Sequence, residues 1–115
     1  MTSLLNLSLI EGHLTRDPEL FYTKAGNALC KFDIAVNSFT KNGDENKQET
    51  TFLSVTTWNK VAESTATYLK KGSLIRVKGR LKQQSWEDKE GNKRSKIQVE
   101  AQSVEFLTSP KRNET

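Results

Sequence analysis

Two large aromatic side chains share one face of a predicted strand with small polar residues. The segment from Thr50 to Trp58 is rich in β-branched and aromatic residues, as is typical of a strand. Successive side chains of a strand point to opposite faces, so Phe52 and Trp58 lie opposite Leu53 and Val55. Because large rings among serine and threonine make a poor core, we expect them to form an exposed platform or to cover a partner subunit.

The next predicted strand, residues 73–86, places a row of cations on one face. The row comprises Arg76, Lys78, Arg80 and Lys82, and the same parity leads on to Gln84 and Trp86. Like charges on one strand face repel each other, and the sequence places no Asp or Glu within the row. A solvated face would more often mix signs, so the row favours contact with a polyanion.

Stacking rings beside phosphate-neutralising cations describe sequence-tolerant binding to single-stranded DNA, because every base has a π-face. Duplex DNA hides those faces within its own stack, so exposed rings gain little there. We expect the base-stacking rings to be Phe39, Phe52, Trp58 and Trp86. We expect the phosphate contacts to come from Lys60, Arg76, Lys78, Arg80 and Lys82.

Residue types that support catalysis or metal binding are sparse. His13 is the one histidine and has no ligand at metal-binding spacing, so we expect a surface or strand-end residue. Cys30 is the one cysteine, which excludes an internal disulfide and a thiolate metal site and fits a reducing compartment. We therefore expect no enzymatic activity, no cofactor and no metal ion. The N-terminal segment has the pattern of neither a signal peptide nor a membrane span, so we expect a cytoplasmic protein without membrane contact.

The chain must position these residues with one small domain. It has 115 residues, of which 34% are hydrophobic, and a net charge of +4. This composition predicts a modest core that gains support from oligomerisation. We assign residues 1–107 to the domain and residues 108–115 to a short flexible tail.

Hydrophobic periodicity predicts five strands and one helix. Leu5, Leu7 and Leu9 alternate with polar residues in a first strand, residues 4–14, that we expect to be half-buried. Cys30, Phe32, Ile34 and Val36 share the inner face of a second strand, followed by a polar mobile loop over residues 41–49. The third strand is residues 50–58, the fourth residues 73–86 with Ile75, Val77, Gly79 and Leu81 inward, and the fifth residues 96–107.

The predicted helix lies between the third and fourth strands. Asn59 is expected to cap its N-terminus, Ala62, Ala66 and Leu69 to form its apolar stripe, and Gly72 to end it. Residues 88–92 supply the turn between the last two strands. Five strands with a helix after the third predict an all-β, five-stranded OB-fold Greek-key barrel, whose open end the helix covers.

Four segments resemble the bacterial-type single-stranded DNA-binding protein family. In chain order they are GHLTRDPEL with Tyr22 close behind, FDIAVNSF, YLKKGSLIRVKGRLKQQSW and EGNKRSKIQVEAQSVEFL. The resemblance covers nearly the whole length. It implies an OB-fold homotetramer, with a dimer as the alternative, that coats single-stranded DNA in replication, recombination and repair. It also implies that Phe39, Phe52, Trp58 and Trp86 stack on bases.

The sequence departs from the family pattern at its C-terminus. Family members often continue into a Gly/Pro/Gln-rich linker and an acidic tip that recruits repair enzymes, whereas this sequence ends in SPKRNET. Recruitment of such enzymes through a tail is therefore not expected. Three alternatives remain open: a dimeric primosome-type accessory protein, an RNA binder, and an interaction module whose aromatic face docks a protein partner.

Overall fold

Six strands and one helix are found in residues 3–107, the part of the chain that the computed structural model describes. The strands are β1 (Ser8–Leu14), β2 (Glu19–Tyr22), β3 (Ala28–Asn42), β4 (Glu45–Trp58), β5 (Leu74–Glu87) and β6 (Lys93–Phe106). The helix α1 spans Asn59–Tyr68 and lies between β4 and β5. The predicted tail, residues 108–115, lies outside the described residues.

Five of these strands close into a barrel. The sheet order is β1-β5-β6-β4-β3-β2, and an additional pairing of His13 and Leu14 with β3 joins β1 back to the other side. β4 and β6 run parallel, and the other paired strands run antiparallel. The predicted five-stranded OB-fold is therefore confirmed, and β2 is a short addition along β3.

The barrel core follows the predicted strand parity. Its buried residues include Cys30, Phe32, Ile34, Val55, Ile75, Val77 and Val99. From α1 come Ala62 and Thr65, with Leu69 just beyond the helix end. Cys30 is buried on the inner face, as predicted, and burial raises the pKa of its thiol to about 11, so the thiol is protonated at neutral pH.

A glycine allows β5 and β6 to approach closely. A Cβ atom at Gly79 would overlap the carbonyl oxygen of Glu100 and lie 2.8 Å from the Cα of Ala101. At the same point the strand pairing shifts, because Lys78 pairs with Ser103 and Gly79 with Ala101. The extra residue of β6 makes a β-bulge, which bends the strand where the barrel curves.

The prediction of a mobile loop over residues 41–49 is wrong. β3 and β4 pair continuously up to Asn42 and Glu45, and Gly43 in the left-handed region (φ 68°) makes the turn. Residues 37–52 are exposed throughout, so this hairpin extends beyond the barrel with polar side chains on both faces. A search for alternating hydrophobicity cannot detect such strands.

The first strand has the opposite parity to the predicted one. Leu7 and Leu9 are 59% and 66% exposed, whereas Gly12 and Leu14 of β1 are buried. Leu5 precedes β1 and is also exposed. The inner face of β1 carries Ile10, Gly12 and Leu14, and Gly12 lies where β3 comes close, with Ala35 O only 2.8 Å from the position of a Cβ atom. The spacing of Leu5, Leu7 and Leu9 therefore selects the wrong face.

Three further predictions are wrong at element ends. Asn59 adopts φ 57° as the first residue of α1, and no side chain within residues 3–107 caps the helix. Gly72 lies in a turn in which Ser73 N donates to Lys70 O, four residues after α1 ends at Tyr68. Leu81 is exposed rather than inward-facing because β5 has left the barrel at this position.

Within residues 3–107, no helix combines the length and the apolar composition needed to cross a bilayer.

Candidate functional site

Strand pairing places the predicted rings and some of the cations on one outer face of the sheet. Residues directly opposite each other on paired strands point to the same side. Trp58 is opposite Leu29 on β3, Thr56 is beside Glu100 on β6, and Glu100 is opposite Arg80 on β5. The face therefore runs continuously across β3, β4, β6 and β5. We call it the aromatic–basic face.

Members of the aromatic–basic face come from five strands. They are Phe21 of β2, Lys31 and Phe39 of β3, Phe52 and Trp58 of β4, Arg80, Lys82 and Trp86 of β5, and Arg94, Lys96 and Glu100 of β6. Lys96 Nζ lies 3.4 Å from Ser54 Oγ, which links the β6 and β4 parts of the face.

Two hairpins extend the face away from the barrel. We call β3–β4 over residues 37–52 the first arm and β5–β6 over residues 81–97 the second arm; both are exposed along nearly their whole length. The arms leave the barrel at the N-terminal ends of β4 and β6, which are parallel, so both project on the side opposite α1. Phe39 and Phe52 lie on the first arm and Trp86 on the second.

The four predicted rings differ in how firmly they are held. Phe52 is 70% exposed and Phe39 similarly so, and each can meet a planar ligand from the solvent side. Trp58 is 37% exposed and its Nε1 donates to Glu100 Oε2 at 3.1 Å. Trp86 is opposite Arg94 near the tip of the second arm, so a ring and a guanidinium lie side by side there.

The predicted row of cations on β5 divides into two groups. Arg80 and Lys82 lie beside Glu100 on the aromatic–basic face, with nitrogen–oxygen distances of 2.8 and 3.8 Å. Arg76 instead binds Glu11 of β1 at 2.7 Å and Glu105 of β6 at 2.9 Å. Among the described residues, Lys78 makes no ion pair; it is opposite Leu9 and Ser103.

The row has no Asp or Glu within it, as the sequence shows, but three of its four cations pair with acidic side chains. The acids come from neighbouring strands, a relation that the sequence of β5 alone does not contain. The hydrogen bond with Glu11 and the charge of Glu105 raise the pKa of Arg76, which is fully cationic in any case. Lys60, also predicted to contact phosphate, is on α1 and lines a groove with Ser103 and Phe106, beside the aromatic–basic face rather than on it.

A carboxylate lies at the centre of the face. Glu100 accepts hydrogen bonds from Trp58, from Arg80 Nη2 at 2.8 Å and from Arg80 Nε at 3.0 Å. Partial burial raises the pKa of Glu100, but the hydrogen bonds from Arg80 and Trp58 and the charge of Lys82 outweigh it, so the pKa lies below its usual value. Glu100 is therefore ionised at neutral pH.

Sequence reasoning missed two residues at the β2 end of the face. Phe21 is opposite Leu29, which in turn is opposite Trp58, and the Phe21 ring is about half exposed. Lys31 Nζ lies 5.6 Å from the centre of the Phe21 ring, within the range of a cation–π contact. The hydrophobic pattern does not predict the four-residue strand β2, although the sequence places two aromatic residues, Phe21 and Tyr22, next to a turn.

The arrangement as a whole can bind an extended chain of stacked rings and phosphates. Rings are separated by cations along the face, and between them lies a groove lined by Lys31, Thr56, Trp58, Lys82, Gln98 and Glu100. No cluster of three or more metal-ligating side chains is present within residues 3–107.

Comparisons with known proteins agree with this geometry. Residues 5–107 match the sequence profile of the single-strand binding protein family. The chain is 42% identical over 105 residues to the single-stranded DNA-binding protein of Treponema pallidum, covering 91% of this chain and 59% of that protein. It is 43% identical over 105 residues to single-stranded DNA-binding protein A of Bacillus subtilis, covering 90% of this chain and 60% of that protein.

A solved structure shows the same fold. A Plasmodium falciparum single-strand binding protein, in complex with single-stranded DNA, superimposes with a TM-score of 0.84 at 20% sequence identity. The superposition covers 94% of this chain and 99% of that one. The chain spans about three-fifths of the length of the first two relatives described above. From the profile match and these identities, the chain belongs to the single-strand binding protein family.

Proposed function

We propose that this chain binds and coats single-stranded DNA without base-sequence specificity, in DNA replication, recombination and repair. The observation that carries the proposal is the aromatic–basic face, on which exposed rings and cations from five strands share one side of the sheet. The names of the relatives support the same ligand.

In the proposed complex, bases stack on the rings and phosphates meet the cations between them. Phe39, Phe52, Trp58 and Trp86 act as stacking residues, and Phe21 adds a fifth ring at the β2 end. Each stack contributes about 1–3 kcal/mol by alanine substitution. Three of the cations lie among the rings: Lys31, Arg80 and Lys82. The other three contact the part of the DNA that continues beside α1 and around the barrel: Lys60, Arg76 and Lys78.

The test uses the two tryptophans as separate reporters. In Trp86→Phe and Trp58→Phe variants, the remaining indole should be quenched by a thymine oligomer and recover on addition of salt. The logarithm of the affinity should fall by about 0.7 per neutralised phosphate for each unit of log salt concentration. A duplex of the same length should compete poorly, and equal binding of duplex would contradict the proposal.

Two further arms separate the alternatives. A matched RNA oligomer that binds more tightly than DNA would indicate an RNA-binding protein, since only RNA offers the 2′-hydroxyl. In a Trp58→Ala, Trp86→Ala double variant, weakened DNA binding with intact assembly supports a DNA-binding face. Normal DNA binding with broken assembly would instead indicate a docking face for protein.

We also propose that copies of this chain assemble with one another, as a homotetramer or a dimer. Leu7, just before β1, and Leu9, within it, expose apolar side chains. Within residues 3–107, β1 pairs with β3 only at His13 and Leu14, so its first half offers an open strand edge. Light scattering on the Leu7→Lys, Leu9→Lys variant should show a smaller particle than the unchanged protein; an unchanged mass would place the interface elsewhere.

A further inference from the structure

The carboxylate of Glu100 occupies the one position on the aromatic–basic face where a ring, a guanidinium and an ammonium group meet. The Glu100 side chain is 19% exposed, and its two oxygens interact with different partners. Oε1 accepts both the Nε and Nη2 hydrogen bonds of Arg80, whereas Oε2 accepts the indole Nε1–H of Trp58 and lies 3.8 Å from Lys82 Nζ.

The hydrogen bonds to Glu100 occupy N–H donors of Arg80 that could otherwise bind a phosphate. A guanidinium recognises carboxylate and phosphate with the same fork of N–H groups. Two donors of Arg80 are directed at Glu100, so they reach a phosphate only after leaving the carboxylate or by sharing it. A negative charge at this point also repels an approaching phosphate, while the hydrogen bond to Nε1 fixes the plane of the Trp58 ring.

We propose that Glu100 is a positioning residue with two opposed effects on single-stranded DNA: it orients Trp58 for stacking, and it competes with phosphate for Arg80. This inference rests on the proposed function. Its consequence is that Trp58 contributes through stacking, Lys82 provides the readily available charge beside it, and Arg80 adds little to salt-dependent affinity while Glu100 is ionised.

Replacing Glu100 by glutamine separates the two effects. In Glu100→Gln the amide oxygen still accepts the Trp58 hydrogen bond, but the ion pair with Arg80 and the weaker one with Lys82 are lost. We expect about two- to fivefold tighter binding of a thymine oligomer, the range that a partly exposed ion pair supports. We also expect the log–log salt dependence to become steeper by about 0.7, because one more phosphate is neutralised.

Glu105→Gln is the matched control. It makes the same chemical change on the same strand, and Arg76 keeps its second partner, Glu11. Glu105→Gln should leave the salt dependence close to that of the unchanged protein. Equal steepening in both variants would mean that net charge alone is responsible and would overturn the proposal.

A measurement without DNA tests the contact itself. The indole Nε1–H resonance of Trp58, assigned by its loss in Trp58→Phe, should keep its hydrogen-bonded position in Glu100→Gln and move in Glu100→Leu. If it moves in neither variant, the contact is absent and the proposal fails.

If the contact is present but Glu100→Gln binds DNA with unchanged or lower affinity and unchanged salt dependence, the competition with phosphate is refuted. If the unchanged protein does not bind single-stranded DNA at all, the proposed function fails and this inference fails with it.

Discussion

The barrel and the two arms are built from the same strands but are stabilised in different ways. In the barrel, alternate side chains of β3 and β4 are buried, as Phe32, Ile34 and Val55 show. In the arms, residues of both parities are exposed, and the strands are held by backbone pairing and turn residues. The core therefore lies in the barrel, while the arms extend the aromatic–basic face away from it.

The barrel and the arms should therefore respond differently to substitution. We expect a side chain in the barrel to contribute mainly to the free energy of unfolding, and a ring on an arm to contribute mainly to the proposed binding of single-stranded DNA. The following predictions test this division by making equivalent changes in the two regions.

The largest expected effect comes from two phenylalanines on adjacent strands. Phe32 is buried in the barrel and Phe52 is exposed at the base of the first arm. Phe32→Ala should lower the free energy of unfolding by about 3–5 kcal/mol, because it leaves a cavity. Phe52→Ala should change it by less than about 0.5 kcal/mol but weaken DNA binding by about 1–3 kcal/mol.

Urea denaturation and fluorescence titration measure the two quantities. Phe32→Leu serves as a milder variant in case Phe32→Ala does not fold. A large loss of stability in Phe52→Ala would show that the arms contribute to the barrel after all.

Two glycines give the second comparison. Gly79→Ala should destabilise the barrel by about 1–3 kcal/mol or more, since the new Cβ meets backbone atoms of Glu100 and Ala101. Gly43→Ala in the first arm meets nothing within 4 Å, and its cost is limited to the left-handed backbone, about 1–2 kcal/mol. Thermal unfolding should show a lower Tm for Gly79→Ala than for Gly43→Ala. A lower Tm for Gly43→Ala than for Gly79→Ala would mean that the backbone of β6 shifts at its bulge and makes room for the new Cβ at little cost in free energy.

The same division explains what the sequence could predict. Buried faces of strands were identified correctly because Cys30, Phe32 and Ile34 alternate with polar residues, and burial is what such alternation reports. The arms carry polar residues on both faces, so residues 41–49 were predicted to be a loop. The prediction that Leu7 and Leu9 face the core is wrong for a related reason. Hydrophobic side chains also occur on exposed surfaces, so their spacing does not by itself indicate burial.

On the aromatic–basic face, strand parity predicts that Phe52, Trp58, Arg80 and Lys82 point outward, and the register places them on the same side of the sheet. What parity cannot provide is the neighbour on another strand. Glu100 is twenty residues from Arg80 in the sequence but directly opposite it in the sheet. The ion pairs of Arg76 and the alignment of Phe21 and Trp58 on either side of Leu29 also depend on pairing between distant strands.

A third prediction concerns the turn of the second arm. Asp88 Oδ1 accepts hydrogen bonds from the backbone N–H groups of Glu90 and Asn92, and Oδ2 accepts one from Arg94 Nε. Asp88→Ala should release Arg94 and the neighbouring Trp86, raising amide exchange in the second arm and weakening DNA binding less than Phe52→Ala does. Amides of the barrel should keep their protection, which is the internal control.

The pH dependence of this turn has a definite sign. The hydrogen bond from the Asn92 backbone, followed by that from Arg94, lowers the pKa of Asp88 below its usual value. The contribution of Asp88 is therefore complete above about pH 4 and is lost as the pH falls through the lowered folded-state pKa. Asp88→Asn should show the exchange pattern of the acidic protein already at neutral pH; a fully protected turn in that variant would contradict the assignment.

The smallest expected effect concerns two threonine hydroxyl groups buried in the barrel core. The hydroxyl oxygens of Thr57 and Thr65 are buried, and neither has a hydrogen-bond partner within the described residues. A buried hydroxyl without a partner costs free energy, whereas valine has nearly the same shape and no such cost. Thr65→Val should therefore leave the free energy of unfolding unchanged or raise it by up to about 1 kcal/mol. Thr67→Val is the control, because Thr67 Oγ1 is exposed and donates to Glu63 O at 2.7 Å. If urea denaturation instead shows that Thr65→Val is clearly less stable than Thr67→Val, the Thr65 hydroxyl has a partner that stabilises the barrel beneath α1.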